Sequence, residues 1–133
     1  MKLLDTNIIV YAAGRKHPHK EKCAKLLNEA VASPGAYNVS VEVLQEILHV
    51  YYNKREKDKG VELVEGLLHI FPQSFTISTV EIEIACMLLN KYERLNARDA
   101  LHAAVVINYN LEAIVSFDKH FDSLSEIKRL EPI

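Results

Sequence analysis

The chain has 133 residues, of which 49% are hydrophobic and 26% are charged, a composition typical of a globular protein that buries a core. Its formal net charge of −2 argues against a protein that simply coats nucleic acid. No apolar run approaches the ~18 residues needed to span a membrane, and the N-terminus lacks the layout of a signal peptide, so we expect one cytoplasmic domain over residues 1–133.

Short apolar runs alternate with amphipathic segments along the whole chain. In chain order, the pattern predicts strand 2–5, helix 18–32, strand 36–39, a helix after Ser40, helix 58–71, strand 75–77, a helix after Ser78, a helix after Asn96, strand 113–116 and strand 127–130. Strands separated by helices are typical of an α/β fold, in which a parallel sheet carries helices on both faces.

Apolar spacing predicts the inward face of each helix. The helix after Ser40 should bury Leu44, Ile47, Leu48 and Tyr51. The helix after Ser78 opens with a capping box and should turn inward Ile82, Ala85, Cys86 and Leu89. Cys23 and Cys86 would then both be reduced core residues, because the paired spacing of a zinc site is absent. The helix after Asn96 is apolar nearly all round and should be central.

Two carboxylates follow predicted strands directly. Asp5 ends the first apolar run, and Asp118 comes just after the strand at residues 113–116. In open α/β sheets, ligands bind in the crevice beyond the carboxyl ends of the strands, so both acids would reach one crevice if these strands are neighbours. Asp5 could instead only cap the following helix. Asp122 could take the place of Asp118, but it lies farther from the strand end.

Two further acids lie on predicted helices. Asp99 is in the first turn after Asn96, where a carboxylate also favours the positive end of the helix. On the helix after Ser40, Glu46 borders the apolar side, whereas Glu42 lies farther into the polar face. Glu46 is therefore the better candidate for an inward-facing acid, although either one could be a solvated surface residue.

Four converging carboxylates require a counter-ion, because like charges a few ångströms apart cannot all remain ionised without compensation. Clustered oxygen ligands select Mg²⁺ or Mn²⁺. Such ions support phosphodiester hydrolysis without a catalytic Ser, Cys or His.

A basic segment follows Asp5 closely and could bind a nucleic-acid backbone, giving salt-sensitive binding. Its cations include Arg15, Lys16, Lys20 and Lys22. A second, mixed cluster at residues 54–59 could also contribute to a phosphate-binding rim, but a solvated loop is the preferred interpretation.

Four acidic blocks follow one another along the chain. They are Asp5-Thr6-Asn7, Ser40 followed six residues later by Glu46, the segment from Ala97 to Ala104 that contains Asp99, and Ser116-Phe117-Asp118-Lys119-His120-Phe121. In this order and approximate spacing, the blocks resemble those of the PIN domain family. The resemblance covers residues 1 to about 122, and in small single-domain form it is closest to VapC-type toxins. It implies a three-layer α/β/α sandwich with a parallel sheet of roughly five strands. It also implies a Mg²⁺- or Mn²⁺-dependent endoribonuclease, often dimeric, with a cognate antitoxin.

The resemblance also implies roles for individual residues. Asp5, Asp99 and Asp118 would hold the metal, and Glu46 would bind a second ion or position the attacking water. Asn7 and Ser116 would support these groups through hydrogen bonds. The sequence departs from many family members at His102, which either faces the site or is a hydrogen-bonded core histidine.

The hypothesis is therefore a metal-dependent ribonuclease that binds an RNA substrate, an antitoxin and a second copy of itself, with Tyr51 or Tyr52 either at the dimer interface or in the core. One alternative is a PIN-like binding module with weak or no turnover. Another is a phosphotransferase of the haloacid-dehalogenase type. That class needs a second Asp two residues after the first, where this chain has Asn7.

Overall fold

The computed structural model describes residues 1–133 and contains a fully parallel sheet of four short strands in the order β2-β1-β3-β4. The strands are β1 Lys2–Leu4, β2 Tyr37–Asn38, β3 Ala113–Val115 and β4 Arg129–Leu130. The connections form six helices and a 3-10 helix at Lys119–Ser123. The helices are α1 Thr6–Ala13, α2 Lys20–Ala32, α3 Val41–Asn53, α4 Lys57–Ile70, α5 Thr79–Lys91 and α6 Ala97–Asn108.

Alternating side chains on the central strands fill two separate cores. Leu4 and Val115 point to one face, where they pack with residues of α1, α2, α3 and α4. Leu3 and Ile114 point to the other face, where they pack with α5, α6 and the 3-10 helix. This period-two division follows from strand geometry and confirms the predicted three-layer α/β/α architecture.

The predicted strand at residues 75–77 is reduced to a single parallel bridge between Phe75 and Ser40. The N–H of Phe75 donates to the carbonyl of Val39 at 2.9 Å, and the N–H of Val41 donates to the carbonyl of Phe75 at 2.9 Å. Because Ser78 already caps α5, the segment has no room to pair further. The sheet therefore has four strands with one added bridge at its β2 edge, rather than five full strands.

The capping residues identified in the sequence do begin their helices. Ser40 Oγ accepts from the N–H of Val43 at 3.2 Å. The capping box at α5 is complete, since Ser78 N donates to Glu81 Oε2 at 2.9 Å. The central helix α6 is buried along most of its length, as its apolar composition predicts.

The predicted inward face of α5 is wrong at three of its four residues and correct at Ala85. Ile82, Cys86 and Leu89 are exposed, whereas Ala85 and Leu88 are buried. The helix carries apolar side chains on several of its sides, so the periodicity of the sequence alone does not identify the buried side. Small side chains decide it: Ala85 packs with the alanines of α6, Ala100 and Ala104.

On the other face of the sheet, Cys23 is a buried core residue, as expected. Leu48 of α3 is exposed rather than buried. Tyr51 belongs to the core, whereas Tyr52 is 66% exposed.

The strand order places a crevice beside β1. The chain moves from β1 to β2 on one side and later adds β3 on the other side, so the carboxyl ends of β1 and β3 flank a topological switch point. Asp5 follows β1, and Ser116 follows β3. No helix of the chain combines the length and apolar character needed to cross a membrane.

Candidate metal centre and active site

Asp5 both caps α1 and faces the crevice. Its Oδ1 accepts the N–H of Thr6 at 2.7 Å, and its Oδ2 accepts the hydroxyl of Ser116. The side chain is buried at the end of β1. The two interpretations of Asp5 in the sequence are therefore compatible, because one oxygen serves as the cap while the carboxylate lines the crevice.

Ser116 connects the first and last acidic blocks. Its hydroxyl donates to Asp5 and accepts from the backbone N–H of Asp118 at 2.9 Å and from Nδ2 of Asn7 at 3.2 Å. Asn7 in turn accepts the N–H of Phe117 at 3.5 Å. The two predicted supporting residues therefore hold the ends of β1 and β3 together.

Asp99 enters the crevice from the first turn of α6. Asn96 caps this helix and holds the acid in two ways. Its Oδ1 accepts the N–H of Asp99 at 2.8 Å, and its Nδ2 donates to Asp99 Oδ2 at 3.1 Å. The second oxygen of Asp99 has no such bond and remains available to the crevice.

Glu46 enters from α3 and is buried, as its position beside the apolar stripe predicts. Its Oε2 accepts the hydroxyl of Thr6 at 2.6 Å, and its Oε1 lies 3.1 Å from Nε2 of His102. An ionised carboxylate only accepts hydrogen bonds, so Nε2 of His102 carries the proton. Glu42 is only half-buried and does not line the crevice.

All four predicted acids line one open cleft of about 710 Å³. Within it, donor atoms lie within 4.8 Å of one another in two groups: Asp5 with Glu46 and His102, and Asp99 with Asp118 and His120. Asp122 does not take the place of Asp118, because it is exposed and pairs with Arg129 at 2.8 Å.

The burial and mutual repulsion of the acids perturb their ionisation. Burial raises the pKa of Asp5, and the nearby charge of Glu46 adds to this shift. Burial, followed by the charges of Asp118 and Asp5, raises the pKa of Asp99. Burial also opposes ionisation of Glu46, but the hydrogen bond and positive charge of His102 outweigh it and hold the pKa of Glu46 below its usual value.

These features fit a divalent cation. The donors are hard carboxylate oxygens, the ligands that such ions prefer. After burial, the charges of Asp118 and Asp5 raise the pKa of Asp99, and a cation in the cleft would relieve this repulsion. The acidic and histidine cluster is thus compatible with a metal site of the kind found in metal-dependent nucleases.

Comparison with known proteins identifies the family of this chain. The family model described as "PIN domain" matches residues 2–127. The chain belongs to the PIN domain family. Ribonuclease VapC13 of Mycobacterium tuberculosis is 35% identical over 130 residues, covering 98% of this chain and 99% of the relative.

Solved structures agree on the PIN fold. VapBC2 from Rickettsia felis, bound to a DNA fragment from its promoter, superposes with a TM-score of 0.78 at 18% identity, covering 98% of this chain and 97% of that one. A toxin–antitoxin complex from Klebsiella pneumoniae superposes with a TM-score of 0.69 at 19% identity, covering 100% of this chain and 98% of that one.

The findings confirm the PIN resemblance and the class of protein expected from it, a VapC-type ribonuclease toxin. They also exclude a phosphotransferase of the haloacid-dehalogenase type, because the match to the PIN domain extends over almost the entire chain.

The predicted RNA-binding cations do not all lie beside the PIN cleft. Arg15 and Lys16 are exposed in a groove that adjoins it, and Nζ of Lys20 donates to the carbonyl of Gly14. Lys22 instead lines a separate groove between α2 and the C-terminal residues 131–133. The basic segment is therefore split, because α2 carries its second part away from the cleft.

The sequence did not single out some of the polar side chains that complete the PIN cleft. The hydroxyl of Thr6 donates to Glu46. The sequence identifies Asn96 only as the start of a helix, but its side chain also donates to Asp99. His120 lies 3.0 Å from Asp118, a contact that the i, i+2 spacing could have suggested. His102 meets both descriptions considered for it, because it is buried, hydrogen-bonded and in the acid cluster.

Proposed function

We propose that this PIN domain, over residues 1–133, is the toxin of a toxin–antitoxin pair and hydrolyses RNA phosphodiester bonds endonucleolytically with Mg²⁺ or Mn²⁺. The observation that carries the proposal is the convergence of four carboxylates in one cleft at the sheet's switch point. The full-length similarity to curated VapC ribonucleases supports RNA as the substrate.

Three of the acids would hold the cation: Asp5, Asp99 and Asp118. A bound divalent cation would supply positive charge that compensates these carboxylates and polarises the scissile phosphate. Asn7 and Ser116 keep Asp5 and the backbone of Asp118 in place through their hydrogen bonds, so the two strand ends stay aligned.

Glu46 would orient the attacking water. Its two oxygens are fixed by Thr6 and His102, and its lowered pKa keeps it ionised and able to accept a hydrogen bond from water. Because Glu46 is buried beside Asp5, its carboxylate has little freedom to move. A water bound to it would therefore approach the phosphorus from one direction.

A protein partner is the second part of the proposal. Neighbours in fold include a toxin–antitoxin complex, which supports an antitoxin as the partner. We expect a small antitoxin to cover the acid cleft and the chain to form a homodimer. Size measurement with and without the antitoxin would test both expectations.

The direct test is cleavage of a mixed pool of structured RNAs with Mg²⁺, Mn²⁺ or EDTA. Mass spectrometry of the purified chain would first confirm that no antitoxin is attached. Discrete cuts that need metal and are lost in the Asp99→Asn variant are expected. An absence of cuts with either metal would favour a binding module with the same fold.

A further inference from the structure

A basic groove of about 470 Å³ lies next to the acid cleft. Two distant segments of the chain supply its cations, Arg15 and Lys16 after α1, and Lys54 and Lys59 around the turn between α3 and α4. The acid cleft and the basic groove share Val10 and Tyr11 in their walls, so they are continuous along α1.

These cations are largely uncompensated. Arg15, Lys16 and Lys54 form no ion pair within 4.0 Å, and Lys59 reaches Glu56 only at the 4.0 Å limit. Glu56 is also the only acid in the lining of the groove. Four positive charges against one negative charge give the groove a positive potential in a chain whose net charge is −2.

Tyr51 adds an independent observation. It lines the groove, and its ring belongs to the buried core. Nζ of Lys54 lies 5.4 Å and Nζ of Lys59 lies 5.7 Å from the centroid of this ring. Both distances are within the range of cation–π contacts, so the ring holds the two ammonium groups at the wall of the groove.

We propose that this groove, which we name the flanking-phosphate groove, binds phosphate groups of the RNA backbone beside the one in the acid cleft. The proposal rests on the proposed function, since it extends the same substrate beyond the cleft. An RNA strand is favoured over an acidic segment of a protein partner, because the groove continues directly from the cleft where the scissile phosphate would lie. The lysines of the turn between α3 and α4 are thus part of the substrate site rather than a solvated loop.

The test compares two double variants that remove the same charge. Lys54→Gln with Lys59→Gln changes the groove, whereas Lys22→Gln with Lys25→Gln changes the separate groove beside the C-terminus. Binding of a labelled single-stranded RNA of mixed sequence is measured by fluorescence anisotropy in EDTA over a salt series. Thermal melting confirms that both proteins are folded.

Each lost phosphate contact on a single strand lowers the log–log salt slope by about 0.7, so the first double variant should lose about 1.4. Between ~50 and ~200 mM salt, the factor by which its affinity falls should therefore be about seven times smaller than the factor for the wild type. The control should keep the wild-type slope. An unchanged slope in the groove variant overturns the proposal, and so does an equal loss in both variants, which would report only net charge.

Two further outcomes separate this proposal from the ribonuclease assignment. If the chain binds RNA through Lys54 and Lys59 but never cuts it, the result would support the flanking-phosphate groove and contradict the ribonuclease assignment. Unchanged RNA binding together with weaker binding of an acidic partner peptide would assign the groove to a protein and overturn the proposal. Because the assay contains EDTA, cleavage does not influence either result.

Discussion

Binding of a divalent cation should stabilise the folded chain, and Asp99 should be necessary for that effect. Asp99 is buried, and the charges of Asp118 and Asp5 raise its pKa further, so a cation in the cleft relieves repulsion that exists only in the folded state. The proposed perturbation is Asp99→Asn. It keeps the size of the side chain and an oxygen that can accept from Asn96.

The magnitude follows from linkage. At a free metal concentration ~100 times Kd, binding stabilises the fold by ~2.7 kcal/mol. With ~2.1 cal/mol/K per residue over 133 residues, the unfolding entropy is about 0.28 kcal/mol/K, so the wild-type Tm should rise by about 10 °C. A hundredfold weaker Kd in the variant leaves ~0.4 kcal/mol, or about 1–2 °C.

Differential scanning calorimetry with and without Mg²⁺ or Mn²⁺ measures this shift. Asp58→Asn is the matched control, because Asp58 is an exposed acid in the first turn of α4. A metal-dependent rise of equal size in the Asp99→Asn variant would refute the reasoning. No rise in the wild type at any metal concentration would also refute it.

The pH dependence of the metal-free proteins provides a second arm of the same experiment. Since the pKa of Asp99 is raised above its usual 3.8, the folded chain binds this proton more tightly than the unfolded chain. The wild type should therefore gain stability relative to Asp99→Asn as pH falls through the raised pKa, and the gain should be complete below about 3.8. A loss of wild-type stability relative to Asp99→Asn on acidification would contradict this prediction.

Three other predictions address the mechanism and the fold. Replacing His102 by Gln removes a positive charge that lowers the pKa of Glu46, Asp5 and Asp99, so the acid limb of the pH–rate profile should move to higher pH; an unmoved limb would show that His102 does not favour ionisation of these acids. An RNA with a single 2′-deoxy nucleotide at the cut should still be cleaved, because water rather than the 2′-hydroxyl attacks, and complete resistance would exclude that mechanism. Replacing Glu81 by Ala leaves Ser78 and Asn108 without their buried partner and should lower the free energy of unfolding by about 2 kcal/mol in urea titrations, whereas a loss below about 0.5 would show that water replaces the carboxylate.

Local chemistry explains why the sequence could locate most of the cleft. Asp5 and Asp118 stand directly after apolar runs, and short parallel strands necessarily deliver such residues to the same edge of a sheet. Glu46 could be preferred to Glu42 because one helical turn relates it to Val43, which is buried, and to Val50, which packs against the core. In each case the information lies within a few residues of the acid.

The sequence does not predict contacts between distant segments of the chain in the same way. The buried face of α5 depends on which of its apolar residues meets the alanines of α6, and periodicity does not record that choice. The groove joins Lys54 to Arg15 only because α3 and α1 pack on the same face of the sheet. Lys22 was grouped with Arg15 by proximity in the chain, and the direction of α2 separates them.

The most direct test of the account is metal-dependent cleavage of RNA by the Asp5→Asn variant beside the wild type and the Asp58→Asn control. Asn caps helices as well as Asp, so the variant should still begin α1 after residue 5 and remain folded, which a cooperative melting transition without metal would confirm. Its cleavage rate should fall by more than about a hundredfold, because even residues behind a metal ligand contribute 10–100-fold. Cleavage by a folded Asp5→Asn protein at the wild-type rate would contradict the assignment of this cleft as the active site.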